Sequence, residues 1–276
     1  MIGKKNRYKM TTYISLIVLG SMALLPIFWM LSVSFRSNPE VFAAPLSLLP
    51  KTWTLDAFKT VFENKDLLKL FINSYIIALS VTFICVLFAA LAGYGFSRFQ
   101  FKAKRAAIAY ILITQMFPMV LLVIPYFLFI TRMGLYNSYL ALILAYTSFA
   151  LPFSIMMMRD FINTIPTELD EAAKMDGCGP YKTFFYIILP PSLPGLIATG
   201  VYTFILAWNE FLFAVVLTNS IEVRPLTIGI GMLIGEFTTE WNALMALSFM
   251  ASAPLIIVFL FVQKYFLQGL TAGSVK

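Results

Sequence analysis

The chain has 276 residues, of which 60% are hydrophobic and 12% charged, with a mean hydropathy of +0.86 and a formal net charge of +7. A soluble domain of this length has too little interior to hide so much apolar matter. With no histidine and only two cysteines, Cys85 and Cys178, the sequence also excludes a His/Cys metal centre.

Six apolar segments follow one another, at residues 12–35, 71–97, 106–130, 138–158, 194–218 and 242–266. Each reaches the ~20 residues that a helix needs to cross the hydrocarbon core. The alternating segments of about 10 residues that would indicate a β-barrel are not found. The expected fold is all-α: one polytopic transmembrane domain over residues 1–276 with six membrane helices.

The first segment follows Lys4, Lys5, Arg7 and Lys9. Its apolar run is too long for a signal peptide and no small-residue cleavage site follows it, so it is expected to be a retained span. The next loop, residues 36–70, holds Pro39, Pro45, Pro50 and Trp53, and a short helix is expected around residues 55–70. Its interfacial Trp and apolar residues suit a cap lying on the membrane surface.

Counting by loops, thirteen Lys/Arg fall on the side of the two termini and seven on the other. The positive-inside bias then places both termini in the cytoplasm, in keeping with an even number of spans. The basic excess reads as a rim beside anionic headgroups, and no base-reading surface for nucleic acid is present. Cys85 lies in the second span and Cys178 in a cytoplasmic loop, so no disulfide is expected.

Span three contains Pro118 and Pro125, with Gln115 just before the first. A proline bends a membrane helix where neighbours or a watery cavity satisfy the freed carbonyls. Gln115 is therefore a candidate for the wall of a translocation pathway, with an ordinary packing kink as the equal alternative. In span five, Ala207-Trp208-Asn209-Glu210 puts a carboxylate at hydrocarbon depth. Asn209 and Glu210 are further pathway candidates, and a structural hydrogen bond to a neighbouring helix is the other reading of Glu210.

The polar interruption at residues 159–191 carries the strongest signal. Pro166 suits the first position of a helix expected to end near Met175; Gly177 and Gly179 break it, and Pro180 starts a second short helix ending before Pro190-Pro191. Leu169, Ala172, Ala173 and Asp176 fall at i, i+3, i+4 and i+7 and so share one face, small enough for another backbone to approach; Glu168 and Glu171 flank it. Two uses fit this pattern: docking into a groove of a partner, or resting on the chain's own bundle.

Glu171-Ala172-Ala173, three residues, Gly177, nine residues, then Ile187 and Leu189-Pro190 resembles the EAA loop of permease subunits of bacterial ABC importers. The run from Glu168 to Pro194, together with Trp208-Asn209-Glu210-Phe211 and Gln268-Gly269-Leu270-Thr271-Ala272-Gly273, is similar to the carbohydrate, maltose-transporter-type branch. Cys178 departs from the family's usual Ala. The resemblance implies a type I ABC importer permease fold and a coupling helix seated in a cytoplasmic ATPase. Glu168, Glu171, Ala172, Ala173, Asp176, Gly177, Ile187, Leu189 and Pro190 would form that coupling site, with Glu171 pairing a basic residue of the ATPase and Gly177 permitting the turn. It further implies a tail at Gln268, Gly269 and Leu270 reaching the ATPase interface, and an outer loop at residues 219–241 that probes a sugar-binding protein. The implied partners are a second homologous permease, a dimer of cytoplasmic ATPase subunits, an extracellular or periplasmic sugar-binding protein and the lipid membrane.

The chain has no Gly-x-x-x-x-Gly-Lys-Ser/Thr loop to cradle ATP, and its only Gly-Lys pair is Gly3-Lys4. ATP and magnesium are thus expected on the ATPase partners, with no cofactor in this chain. No nucleophile–base constellation marks a catalytic residue, so an enzyme is not expected. The expectation is a permease importing a sugar or oligosaccharide. An ion-coupled transporter or channel is the rival, against which stand the single intramembrane carboxylate and the lack of repeated halves.

Overall fold

The computed structural model describes residues 2–45, 47–234 and 239–272, with side chains from residue 9 to residue 263. Its helices are α1 (Ile2–Ser34), α2 (Asn38–Val41), α3 (Asp56–Glu63), α4 (Lys65–Arg98), α5 (Lys104–Met116), α6 (Val123–Arg132), α7 (Tyr139–Asn163), α8 (Glu168–Met175), α9 (Pro180–Lys182), α10 (Leu193–Asn209), α11 (Leu212–Leu217), α12 (Leu226–Met232) and α13 (Trp241–Ala272). A 3₁₀ turn at Met119–Leu122 precedes α6, and a π-helical turn at Thr183–Ile188 follows α9. Among the described residues there is no strand, only an isolated bridge between Ile234 and Thr239.

Among the described residues, four helices are long and apolar enough to cross a membrane alone: α1 from Lys9, α4, α7 and α13 to Gln263. The count reaches six if each of two bent pairs is one span. Segment 106–130 is one such pair, because α5 and the Met119–Arg132 stretch meet at 92°. The cause is Pro118: the residue before it, Phe117, is pushed into extended backbone (ψ 126°), which no α-helix can absorb. The expected bend is thus a full break. Segment 194–218 also departs from a continuous helix. Helix α10 stops at Asn209, Glu210 is extended (ψ 130°), and α11 restarts at Leu212. Its other end meets the Pro180–Ile188 stretch at 86°.

The chain forms two compact units. In the first, residues 1–68 and 230–254, α1 leaves Ile14, Leu16, Ile17 and Leu19 exposed along its length. The end of α1 is knit to the following loop through Arg36, which is only 1% exposed. Its guanidinium donates to the Ser32 hydroxyl (3.0 Å) and the Ser47 carbonyl and lies over the Trp29 ring, while its own carbonyl accepts from the Asn242 amide (3.1 Å). Farther along, the Glu40 carboxylate accepts from the Lys51 N–H (2.6 Å), which holds its carboxyl below the usual range. The short helix expected around residues 55–70 ends at Glu63: Asn64 turns the chain, and its side-chain oxygen caps α4 by accepting from Asp66 and Leu67.

The second unit, residues 69–229 and 255–276, holds the candidate site. Its core gathers Ala89, Ala90 and Tyr94 of α4, Met158 and Ile162 of α7, and Phe184 and Ile188 of the π turn, with Ile165 between. Helix α4 can approach α7 this closely because of Gly93, where an added Cβ would stand 2.8 Å from the Met158 Cβ and 2.9 Å from the Arg159 backbone nitrogen. At the opposite end of this unit, buried Asn73 gathers a loop: its amide donates to the Ile221 and Arg224 carbonyls (both 2.9 Å), and its oxygen accepts from the Tyr139 hydroxyl (2.6 Å).

Candidate functional site

The loop between α7 and α10 is built from its breakers. Helix α8 starts after Thr167 with Glu168, Asp170 and Glu171 in its first turn, where negative charge complements the helix dipole. It ends in a left-handed turn at Gly177 (φ +77°). There the Cys178 N–H donates to the Ala173 carbonyl (2.8 Å) and the Gly177 N–H to the Lys174 carbonyl (3.0 Å), the two bonds of a Schellman cap. A Cβ at position 177 would meet nothing, so the glycine is needed for its backbone angle and not for space. The expected pair of short helices about a glycine turn is present, with α9 running directly into the π turn.

Its anchor is an ion pair. Arg98, the last residue of α4, places its Nε 2.8 Å from Oδ2 of Asp170, both side chains about nine-tenths buried. Its NH2 also donates to the Ile165 carbonyl (2.7 Å), and the Tyr94 hydroxyl stands 3.5 Å from Oδ1 of Asp170. Desolvation raises the cost of such a pair, and the added hydrogen bonds offset it. Beside it lies a cavity of about 220 Å³ lined by Arg98, Asp170, Glu171, Lys174, Cys178 and Thr183 among others.

The pair corrects the reading of α8. Its buried face is centred on Asp170 and Ala173, roughly a quarter turn from the face expected to meet a partner. Leu169, Ala172 and Asp176 are exposed, whereas Ala173 is turned into the chain and is not available to another backbone. Sequence spacing defines a face but not which side a bundle takes, and the Arg98 charge decides that here by drawing Asp170 inward. Glu168 and Glu171 are exposed. Ile187 and Leu189 are half-buried and pack on the core cluster, and Pro190 is exposed. Around the loop, Met175, Tyr181 and Tyr186 present large apolar surfaces outward.

The pathway candidates do not form one cluster. Gln115 lines a cavity of about 270 Å³ at the α5–α6 break, together with residues of α7 and α10. Neither Asn209 nor Glu210 lines it. The Asn209 amide donates to the Ile205 carbonyl of its own helix (2.8 Å). Glu210 caps the restarted helix: its two carboxylate oxygens accept from the N–H groups of Phe213 (2.8 Å) and Ala214 (3.2 Å), and its carbonyl accepts from the Thr227 hydroxyl (2.8 Å). The carboxylate thus bonds α11, the continuation of its own segment, and it is the Glu210 main-chain carbonyl, not the side chain, that accepts from Thr227 of α12. The side chains of Gln268, Gly269 and Leu270, on the last turns of α13, lie outside the described residues.

Sequence reasoning missed Arg98, Tyr94 and Asp170. The one available signal was an acid in the first turn of α8 facing away from the expected partner face.

Residues 85–272 match the family model described as the binding-protein-dependent transport system inner membrane component. The chain is 36% identical over 251 residues to a probable ABC transporter permease protein of Bacillus subtilis, covering 91% of this chain and 83% of the relative. It is 37% identical over 269 residues to the trehalose/maltose transport system permease protein of Thermococcus litoralis, covering 95% of each. Its fold is similar to a chain in the crystal structure of a bacterial ABC transporter involved in the import of the acidic polysaccharide alginate. There the TM-score is 0.83 at 23% identity, covering 95% of this chain and 98% of that one.

Proposed function

Because this chain belongs to the family of binding-protein-dependent transport system inner membrane components, we propose that it is a permease subunit of a heteromeric, ATP-driven importer of a sugar or oligosaccharide. In this reading residues 1–276 form one transmembrane domain with six spans, the two bent pairs counting as one each, and with both termini in the cytoplasm. A second, homologous permease completes the translocation unit. A binding protein delivers the saccharide from outside, and a dimer of cytoplasmic ATPase subunits holds ATP and magnesium.

The observation that carries the reading is the build of the 159–191 loop. Helix α8 offers Leu169, Ala172, Asp176, Glu168 and Glu171 outward while Arg98 and Asp170 fasten its other face to the end of α4. A push on α8 from a closing ATPase is thereby delivered to a 34-residue membrane helix as rigid-body motion instead of being lost in loop deformation. The sugar class is supported by the relative of Thermococcus litoralis, named for trehalose and maltose. Gln268, Gly269 and Leu270 complete the ATPase interface, and residues 219–241 meet the binding protein.

Co-purification in mild detergent tests the assembly. The chain is expected to carry a second permease and an ATPase with it, and isolation of the chain as an active, ATP-independent transporter would refute the reading.

A further inference from the structure

The break at Pro118 exposes a cavity whose lining is unlike a packing defect. Phe149, Phe153 and Tyr202 form its aromatic walls, and Thr114, Gln115 and Ser148 contribute polar groups. The rings of Phe153 and Tyr202 stand 4.3 Å apart, tilted by 37°. The Thr114 and Ser148 hydroxyls each donate to a carbonyl of their own helix, Ile111 at 2.7 Å and Ala145 at 2.6 Å. Thr114 is left with acceptor capacity. The Gln115 amide nitrogen makes one long bond to the Ile111 carbonyl (3.4 Å), which leaves its oxygen and its second N–H free to bond elsewhere. The Tyr202 hydroxyl, both donor and acceptor, has no hydrogen-bond partner among the described residues.

Three features of this lining specify a ligand. It mixes unspent donors with unspent acceptors, as a polyhydroxylated ligand requires. Its walls are aromatic, the usual apolar surface of a small-molecule site with a few placed polar groups. It carries no Asp, Glu, Lys or Arg, so nothing in it would neutralise a carboxylate or phosphate. The volume, about 270 Å³, is just under the ~300 Å³ lower bound of ordinary small-molecule sites and suits one ring and not a chain of them. Facing lipid, the Gln115 oxygen and second N–H and the Tyr202 hydroxyl would lack partners at a cost of several kcal/mol per group, so the cavity belongs on an aqueous interior.

We propose that the Gln115 cavity is a subsite for one uncharged sugar ring of the transported saccharide, held by this chain itself. This rests on the importer reading above and adds to it a direct contact with the cargo.

The test uses the complete complex of both permeases, the ATPase dimer and the binding protein, reconstituted in liposomes with radiolabelled trehalose and maltose as probes. The readout is sugar delivered per ATP hydrolysed at saturating binding protein. Gln115→Leu and Tyr202→Phe are each expected to lower that ratio about tenfold, the worth of one lost hydrogen bond to a bound ligand, with binding-protein-stimulated hydrolysis kept. If both variants keep the wild-type ratio, the subsite is wrong and the importer reading stands. A parallel fall in hydrolysis and uptake in an assembled complex makes the cavity a structural joint and overturns the subsite. Import of acidic but not of neutral saccharides by the wild type also overturns it. A wild-type complex that imports no saccharide at the expense of ATP overturns the importer reading, and the subsite with it.

Discussion

The Nε of Arg98, at the end of α4, lies 2.8 Å from Oδ2 of Asp170 in the first turn of α8. Seventy-two positions separate the two in sequence, and their pairing ties the polar loop to a membrane helix. Removing one member of a buried pair leaves the other charge uncompensated, at a cost of about 3–5 kcal/mol. Asp170→Ala is therefore expected to lower the melting temperature of the purified complex by several degrees and to reduce ATP-driven uptake more than ATP hydrolysis. Equal losses in both would mean that the pair stabilises the fold without transmitting motion.

Glu171 is exposed beside the pair. Glu171→Lys is expected to leave membrane insertion intact and to weaken retention of the ATPase about tenfold, the lower end of what a broken interfacial charge pair costs. Full ATP-driven uptake by the variant would remove Glu171 from the coupling site.

At Gly177 the backbone angle (φ +77°) disfavours any residue with a Cβ by about 1–2 kcal/mol. Gly177→Ala is expected to lower ATPase retention with little change in helix content by circular dichroism, and Gly177→Asn, which tolerates that conformation better, to lose less.

Gly93 and Gly95 provide an internal comparison on α4. A Cβ at 93 meets the Met158 Cβ and the Arg159 backbone, which cannot yield, whereas one at 95 meets nothing within 4 Å. Gly93→Ala is expected to destabilise by about 1–3 kcal/mol. Gly95→Ala should be neutral or stabilising by up to about 1 kcal/mol through helix propensity. Melting of the two detergent-purified variants separates the cases.

Glu210→Leu removes the acceptor for the N–H groups of Phe213 and Ala214, worth about 1–2 kcal/mol as a cap. Glu210→Gln keeps one side-chain oxygen and is expected to melt close to wild type and to retain uptake. Loss of uptake by Glu210→Gln at unchanged melting would mean that the charge itself serves the pathway.

What the sequence made legible follows from local chemistry. Gly177 and Pro180 punctuate the loop wherever it is placed, so the turn and both short helices could be read. Pro118 announced a bend but not its 92°, since only the neighbours decide whether a freed span folds back. The stop at Glu210 was hidden because Trp208 and Phe211 keep the window apolar while the carboxylate quietly restarts the helix. Arg98 and Asp170 were unreadable as a pair. Each looks like an ordinary charge in a basic or acidic loop, and only the tertiary approach of α4 and α8 makes them partners. The same approach turned Ala173 inward.

The most direct test of the account is saccharide uptake by proteoliposomes containing the complete complex, with the binding protein outside and ATP supplied or withheld on the ATPase side. Uptake is expected only when both ATP and the binding protein are present, and is expected to fail without the ATPase subunits. Sugar accumulation by this chain without ATP, or driven by an ion gradient alone, would contradict it.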